Sequence, residues 1–162
     1  MNSYIWRPAT GNDVTAIVTM AVANFQTEID SIFTPNPTSY SRNITLAIVN
    51  QFFSPTTELV SVAVEPDGTL LGYTWAKTNE RACWSDDEMV VVRMAHLDLH
   101  LSSRRRVLLL QDMLKLWEGF ATFAKVPIIC STTMRNDQTA FLKLHAKNGY
   151  DVRGSYAYKR LV

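Results

Sequence analysis

Two histidines and a carboxylate recur with strand periodicity at His96, Asp98 and His100, and a third histidine stands apart at His145. Alternate strand residues share a face at about 7 Å spacing, so the trio defines a polar face opposite Leu97, Leu99 and Leu101. If that face lines a cleft, Asp98 or His96 can act as a general base working through water. If it meets bulk solvent, it is an ordinary polar strand face. The same spacing raises a metal site, but a flat strand does not converge three ligands to the roughly 2 Å that zinc requires. With no cysteine or further histidine nearby, no metal is assigned. An imidazole titrates near neutrality, so His145 reads either as a general acid or as a polar residue on a helix face. Cys83 and Cys130 have no sequence-local base and are read as structural free thiols.

A second kind of chemistry is written at Arg104-Arg105-Arg106, which follows the helix-capping pair Ser102-Ser103. The helix dipole opposes each cation in a first turn by about 0.3–1 kcal/mol, and a bound anion reverses that sign. The triplet is therefore an anion site, or else a solvated cluster from which Val107, Leu108 and Leu109 carry a core helix onward. It makes a weak nucleic-acid interface, because it stands alone in a chain of net charge +1 with 16 basic and 15 acidic residues.

The elements that must position these groups follow from pattern. Tyr4 to Arg7 is a short strand stopped by Pro8, and Val14, Ile17, Val18, Ala21, Phe25 and Ile29 form a helical stripe behind the caps Asn12 and Asp13. After the loop Thr34-Pro35-Asn36-Pro37, a helix beginning past Ser39 turns Tyr40, Ile44, Ala47, Ile48 and Phe52 inwards and ends before Pro55. Leu59–Glu65 and Leu70–Lys77 form a hairpin about Pro66-Asp67-Gly68, and a polar connection leads to a long strand, Glu88–Leu101. A long helix follows with Leu110, Met113, Leu114, Trp117, Ala121 and Ala124 as its stripe. Then come a strand over Ile128–Thr133, a helix over Asp137–Lys147 stopped by Gly149, and a closing strand at Tyr156-Ala157-Tyr158. The class is α/β, with a mixed, mostly antiparallel sheet flanked by helices. A chain of 162 residues, 47% of them hydrophobic, suits one domain over 1–162. It carries no signal-peptide pattern and no apolar run approaching the roughly 20 residues of a membrane span, so a cytoplasmic protein without a membrane partner is expected.

The element order, together with Asn136, Ala140, Leu144, His145 and Asn148-Gly149-Tyr150, resembles the GNAT superfamily of N-acetyltransferases over essentially the whole chain; Ile5-Trp6-Arg7-Pro8 with Asp13-Val14 is similar to its common opening. The resemblance implies acetyl-CoA as co-substrate, its pantetheine arm in a wedge between two parallel strands. It also implies a pyrophosphate loop of the form Q/R-x-x-G-x-G/A ahead of the long helix. The matching stretch is Arg104 to Leu109, in which Arg104 fits while Val107 and Leu109 stand where small residues belong. It implies cofactor contacts at Leu99, Leu101, Arg104, Arg105, Arg106, Val107, Leu108, Leu109 and Asn136, with backbone amides near Leu99 to Leu101 as oxyanion donors. His145 stands where the family commonly places an acidic tyrosine, and Trp75, Trp84, Phe33 and Tyr40 are candidate liners of an acceptor pocket.

Two functions follow. One is acetyl transfer to an amine, small molecule or protein, with His145, Asp98 and His96 as catalytic candidates. Direct attack by the amine, without an acyl-enzyme, suits the family. The other is a catalytically silent GNAT-fold binding or structural protein, a homodimer or a component of a larger assembly such as a viral particle, which the missing glycines favour.

Overall fold

The computed structural model describes residues 4–29, 32–135 and 137–161. Its elements run β1 (Ile5–Pro8), a single 3-10 turn (Gly11–Asp13), α1 (Val14–Glu28), α2 (Pro37–Phe53), β2 (Glu58–Val64), β3 (Leu70–Arg81), β4 (Glu88–Leu97), α3 (Ser103–Ala124), β5 (Ile128–Cys130) and α4 (Thr139–Lys147). The strands form one sheet in the order β1-β2-β3-β4-β5. Neighbours are antiparallel except β4 and β5, which run parallel and are joined by the α3 crossover. That is the mixed α/β architecture the residue pattern implies.

Each face of the sheet has its own core. Ile17, Ala21 and Phe25 of α1 and Tyr40, Ile44 and Ala47 of α2 bury against Val60, Val62 and Tyr73. On the other face Met113, Leu114, Trp117 and Phe120 of α3 bury against Ala76, Val90 and Val92, with Leu144 and Tyr150 packed beside them. The Trp117 indole N–H also donates to Thr74 Oγ1 at 2.9 Å, so its one polar atom is satisfied inside that core. At the other end of the chain, Arg7 holds both Asp13 carboxylate oxygens at 2.8 Å, fixing the entry of α1 against β1.

Several boundaries differ from the sequence expectation, each for a local reason. Helix α2 begins at Pro37, not past Ser39, because Asn36 accepts the Ser39 N–H at 3.0 Å and proline is well suited to a first helical position. Phe52, expected inside, is 80% exposed: Tyr40, Ile44 and Ala47 define the buried stripe, and Phe52 lies off it. The hairpin strand runs on to Arg81 instead of Lys77. Strand β5 stops at Cys130, and the strand expected at Tyr156-Ala157-Tyr158 does not form. Residues 151–161 are exposed throughout, so that segment has no apolar face to bury against the three-residue edge.

Strands β3 and β4 approach closely at Gly72, where an added Cβ would stand 2.6 Å from Leu97 Cδ2 and 3.0 Å from the His96 carbonyl oxygen. The leucine tip can turn aside, whereas the carbonyl is held in the ladder. Gly72→Ala should therefore cost about 1–3 kcal/mol, measured by chemical denaturation. Unchanged stability would contradict the approach.

Candidate functional site

The site begins where the sheet comes apart. Pairing between β4 and β5 consists of Met89 with Ile128, Val90 with Ile129 and Val91 with Cys130, and there it stops. Strand β4 continues to Leu97 alone on that side. Just past the parting, the register with β3 moves from Ala76–Val92 to Trp75–Met94, leaving Arg93 as an extra, bulged residue. A bulge bends the strand, which here coincides with its departure from β5.

The bend decides where a peptide group points. Asp98 N–H donates to Leu71 O at 2.9 Å, and antiparallel ladders alternate inward- and outward-facing peptide groups. Leu97, paired with Gly72, therefore directs its own N–H and C=O away from β3, into the gap left by β5. The carbonyl's direction is confirmed by Asn24 Nδ2, which donates to it at 3.1 Å.

Beyond Leu97 the chain turns instead of extending. Asp98 Oδ1 accepts the His100 N–H at 3.0 Å, and Leu101 N–H closes the turn on Asp98 O at 3.3 Å. The strand expected to reach Leu101 thus ends four residues early, because the Asp98 side chain offers the backbone a turn in place of a ladder. Of His96, Asp98 and His100, only His96 lies within the strand; Asp98 and His100 belong to the turn. Leu99 is half-buried, and Leu101 packs beside the cluster of Ala63, Leu71 and Leu109.

On the α1 face of the gap lies a chain of buried polar groups. Tyr40 and Tyr73 hydroxyls meet at 2.7 Å, Tyr73 Oη meets His96 Nδ1 at 2.7 Å, and His96 Nε2 meets Glu28 Oε2 at 3.1 Å. A carboxylate only accepts, so Nε2 carries a hydrogen and, in the neutral ring, Nδ1 accepts from Tyr73. Arg135 completes the array, its Nε 2.9 Å from Glu28 Oε1 and an Nη 2.6 Å from Asn24 Oδ1. Burial alone would raise the Glu28 carboxyl, but the His96 hydrogen bond and charge, with those of Arg135, outweigh it and hold Glu28 below the usual carboxylate range. Burial also pushes the Tyr40 and Tyr73 phenols up, so both stay protonated as donors.

On the α3 face, His145 is only 2% exposed. Its Nδ1 lies 2.9 Å from the Phe141 carbonyl and its Nε2 3.0 Å from Ser131 Oγ. Its ring stands among Phe141, Tyr150 and Trp117, with centroids at 4.1, 4.9 and 6.0 Å. Burial lowers its pKa despite the Phe141 carbonyl, so the neutral ring dominates near neutrality. Ser131 directly follows β5 and is half-buried.

At the far side of the turn, Ser102 caps α3: its Oγ accepts the Arg105 N–H at 3.3 Å, while Arg106 N–H bonds the Ser102 carbonyl at 3.0 Å. Helix geometry leaves the Ser103 and Arg104 amides without intrahelical partners. The three arginines separate. Arg105 pairs with Glu65, Arg106 reaches Ser103 Oγ at 3.5 Å, and Arg104 is exposed at the helix start. Val107 is 45% exposed and Leu108 similarly so, whereas Leu109 is fully buried with Ala63 and Leu71. The bulky residue in the loop's first glycine position therefore points outwards and does not plug the core.

No family model matches this sequence, and no curated protein matches it. Solved structures do. A predicted acetyltransferase with acetyl-CoA from Clostridium acetobutylicum superposes with a TM-score of 0.71 at 11% identity, covering 98% of this chain and 96% of its own. The aminoglycoside 6'-N-acetyltransferase of Acinetobacter baumannii gives 0.69 at 11% identity over 99% and 100%. The glucosamine-6-phosphate N-acetyltransferase of Arabidopsis thaliana gives 0.67 at 9% identity over 99% of each chain. This chain has the GNAT acetyltransferase fold.

Placed on the GNAT fold, the sequence candidates divide. His96 and His145 lie on opposite faces of the gap, each buried and fully bonded; Leu101 and Arg104 flank the turn into α3; Asp98 serves the turn itself. Asn136 lies outside the described residues. Of the proposed pocket aromatics, Tyr40 belongs to the core, Trp75 packs against it with its N–H on Glu58 at 2.7 Å, Trp84 is exposed, and Phe33 meets Tyr158 edge-on. Asn24, Glu28, Ser131 and Arg135 were not singled out from sequence. Asn24 and Glu28 carried a usable signal: two polar residues one helical turn apart beside Ala21 and Phe25 on the apolar stripe of α1. Among the described residues no helix is long and apolar enough to cross a membrane.

A carboxylate held below its ordinary pKa contributes stability that is present above the ordinary carboxylate range and lost as pH falls through the lowered value. Glu28→Gln should cost about 1–3 kcal/mol at neutral pH, with the gap to the parent closing below pH ~4, as read by denaturant unfolding at both pH values. A gap that persists in acid would contradict the His96–Glu28–Arg135 arrangement.

Proposed function

We propose that the chain is an acetyl-CoA-dependent N-acetyltransferase whose donor site is the gap between β4 and β5. The observation that carries this reading is the Leu97 peptide group, turned into the gap and followed within six residues by the open N-terminus of α3. A thioester laid along β4 there has an amide N–H at its carbonyl oxygen; a preorganised donor of this kind stabilises a tetrahedral oxyanion by about 3–4 kcal/mol. The oxyanion donor thus moves from the Leu99–Leu101 stretch to Leu97. The free Ser103 and Arg104 amides, the helix dipole and the exposed Arg104 guanidinium suit the pyrophosphate. The outward side chains of Val107 and Leu108 leave the first turn open. Arg105 and Leu109 are committed to Glu65 and to the core, and contribute through position alone.

The two faces of the gap hold the proton chemistry. On the α1 face the buried His96–Glu28 pair suits relaying a proton from an ammonium, with Asp98 in the adjoining turn as the other candidate. His145 stands on the other face at the base of Ser131. The acceptor is an amine, on a small molecule or a protein, and the protein acts in the cytoplasm without a membrane or nucleic-acid partner.

A second reading keeps the fold and drops the chemistry, leaving a binding or structural component, alone, as a homodimer or within a larger assembly. It is favoured by Val107 and Leu109 in place of small loop residues and by the Asn24 and Arg135 bonds at the α1 side of the gap.

Calorimetric titration separates the two. Acetyl-CoA should bind within the ~1 µM–1 mM range typical of enzyme substrates. Arg104→Glu should weaken binding about tenfold through the lost charge-assisted contact. Absence of heat at millimolar acetyl-CoA from folded protein would leave the silent scaffold.

A further inference from the structure

Helix α2 is apolar on two opposite faces. Its helical repeat buries Tyr40, Ile44 and Ala47 against the sheet and turns Arg42, Leu46, Val49 and Phe53 to the other side, where all four are exposed. Phe52 stands beside Phe53, the two rings edge to face at 5.1 Å. A surface helix ordinarily carries its charges on the outer side, yet Arg42 is the one charged residue in the 17 from Pro37 to Phe53. Contiguous exposed apolar groups of this kind mark a surface that another molecule covers.

The two ends of this ridge say what covers it. One end carries Arg42, whose guanidinium makes a long 3.4 Å contact with Ser39 Oγ. At the other end, Phe53 opens onto a hollow of about 350 Å³ walled by Ser54, Glu58 and Lys77. Glu58 is buried. One of its carboxylate oxygens accepts the Trp75 N–H at 2.7 Å, and the other has no partner among the described residues. Lys77, directly opposite Glu58 in the β2–β3 ladder, turns its ammonium to Glu80 at 3.3 Å instead. The negative end of the α2 dipole adds to this field, since no basic residue stands in the helix's last turn. The hollow thus suits a cation that can lie flat on a phenyl ring, and the far end of the same ridge bears one.

We propose that the outer face of α2 pairs with the same face of a second copy of this chain, the two helices antiparallel about a two-fold axis. Such an interface is self-complementary: each contact made by one copy is returned by the other. An axis between Leu46 and Val49 sets Leu46 against the partner's Val49 and, in the same register, Arg42 against the partner's Phe53. Each guanidinium then stacks on a ring at the mouth of the hollow, with the free Glu58 oxygen beyond it as its anionic partner. Parallel helices would place Arg42 beside Arg42 and leave both hollows unfilled, so charge selects the antiparallel arrangement. The ridge points away from the sheet, so the pairing leaves the β4–β5 gap of each copy uncovered and stands independently of the acetyl-transfer reading.

Sedimentation equilibrium on the full chain, run as a concentration series, should find a species of twice the chain mass that dissociates on dilution. Leu46→Glu should raise the dimer dissociation constant about 100-fold or more, because a symmetric interface carries every substitution twice. Arg42→Glu should raise it about tenfold or more through the lost charge-assisted contacts. Phe123→Glu, at an exposed ring on α3, should leave it unchanged. Circular dichroism checks that each variant is folded; should Leu46→Glu fail to fold, Leu46→Ala takes its place, with an expected rise of about tenfold. A chain that is monomeric at every concentration would overturn the proposal. So would a dimer that tolerates the substitutions at Leu46 or Arg42, or one that Phe123→Glu dissociates as well.

Discussion

Parallel strands that stop pairing in mid-sheet leave backbone groups without ladder partners, and the rest of this site is a response to that constraint. Strand β4 loses β5 after Val91 and Cys130, bulges at Arg93, and presents the Leu97 peptide to the space that opens. Unpaired backbone groups in a protein interior cost free energy unless a side chain, water or ligand satisfies them. Asn24 supplies one partner, reaching from α1 to the Leu97 carbonyl. The Leu97 N–H, on the same side of the strand as that carbonyl, is the group a ligand can use.

What holds the two flanks in place is polar on both faces, which is unusual for the middle of a small domain. The α1 face carries a continuous hydrogen-bonded run from Tyr40 through Tyr73, His96 and Glu28 to Arg135 and Asn24. The α3 face carries Ser131, His145 and the Phe141 carbonyl. Buried polar groups of this kind are stabilising only when fully satisfied, and removing one member leaves the next exposed to a low dielectric. The gap is therefore framed by groups whose positions are tightly specified, a condition that catalytic geometry shares.

Most of the architecture was legible in residue pattern, because helical stripes such as Ile17-Ala21-Phe25 and Met113-Leu114-Trp117 report burial directly. The same was true of the Gly149 stop, whose backbone adopts φ 82°, a left-handed geometry that glycine tolerates. The site was less legible. The length of β4 was overread because His96, Asp98 and His100 alternate as a strand would; the Asp98 turn that competes with the strand is a local hydrogen bond invisible to periodicity. The Glu28–His96 and Arg135–Asn24 contacts join residues 68 and 111 positions apart, and no local pattern encodes such pairs. Ser131 was missed because a single serine after a short strand looks like loop until its neighbour on α4 is known. The predicted closing strand failed for the opposite reason: Tyr156-Ala157-Tyr158 has strand propensity but no surface to pair with, and propensity yields to context.

The central claim is that the parting of β4 and β5 forms an acyl-CoA cleft, and amide-resolved NMR during titration with acetyl-CoA tests it most directly. Saturable shifts at Leu97, Ser103, Arg104 and Ser131, with the β1 and β2 amides unmoved, are the predicted result. Shifts absent from Leu97 and the α3 N-terminus, or spread without regard to the gap, would contradict the account.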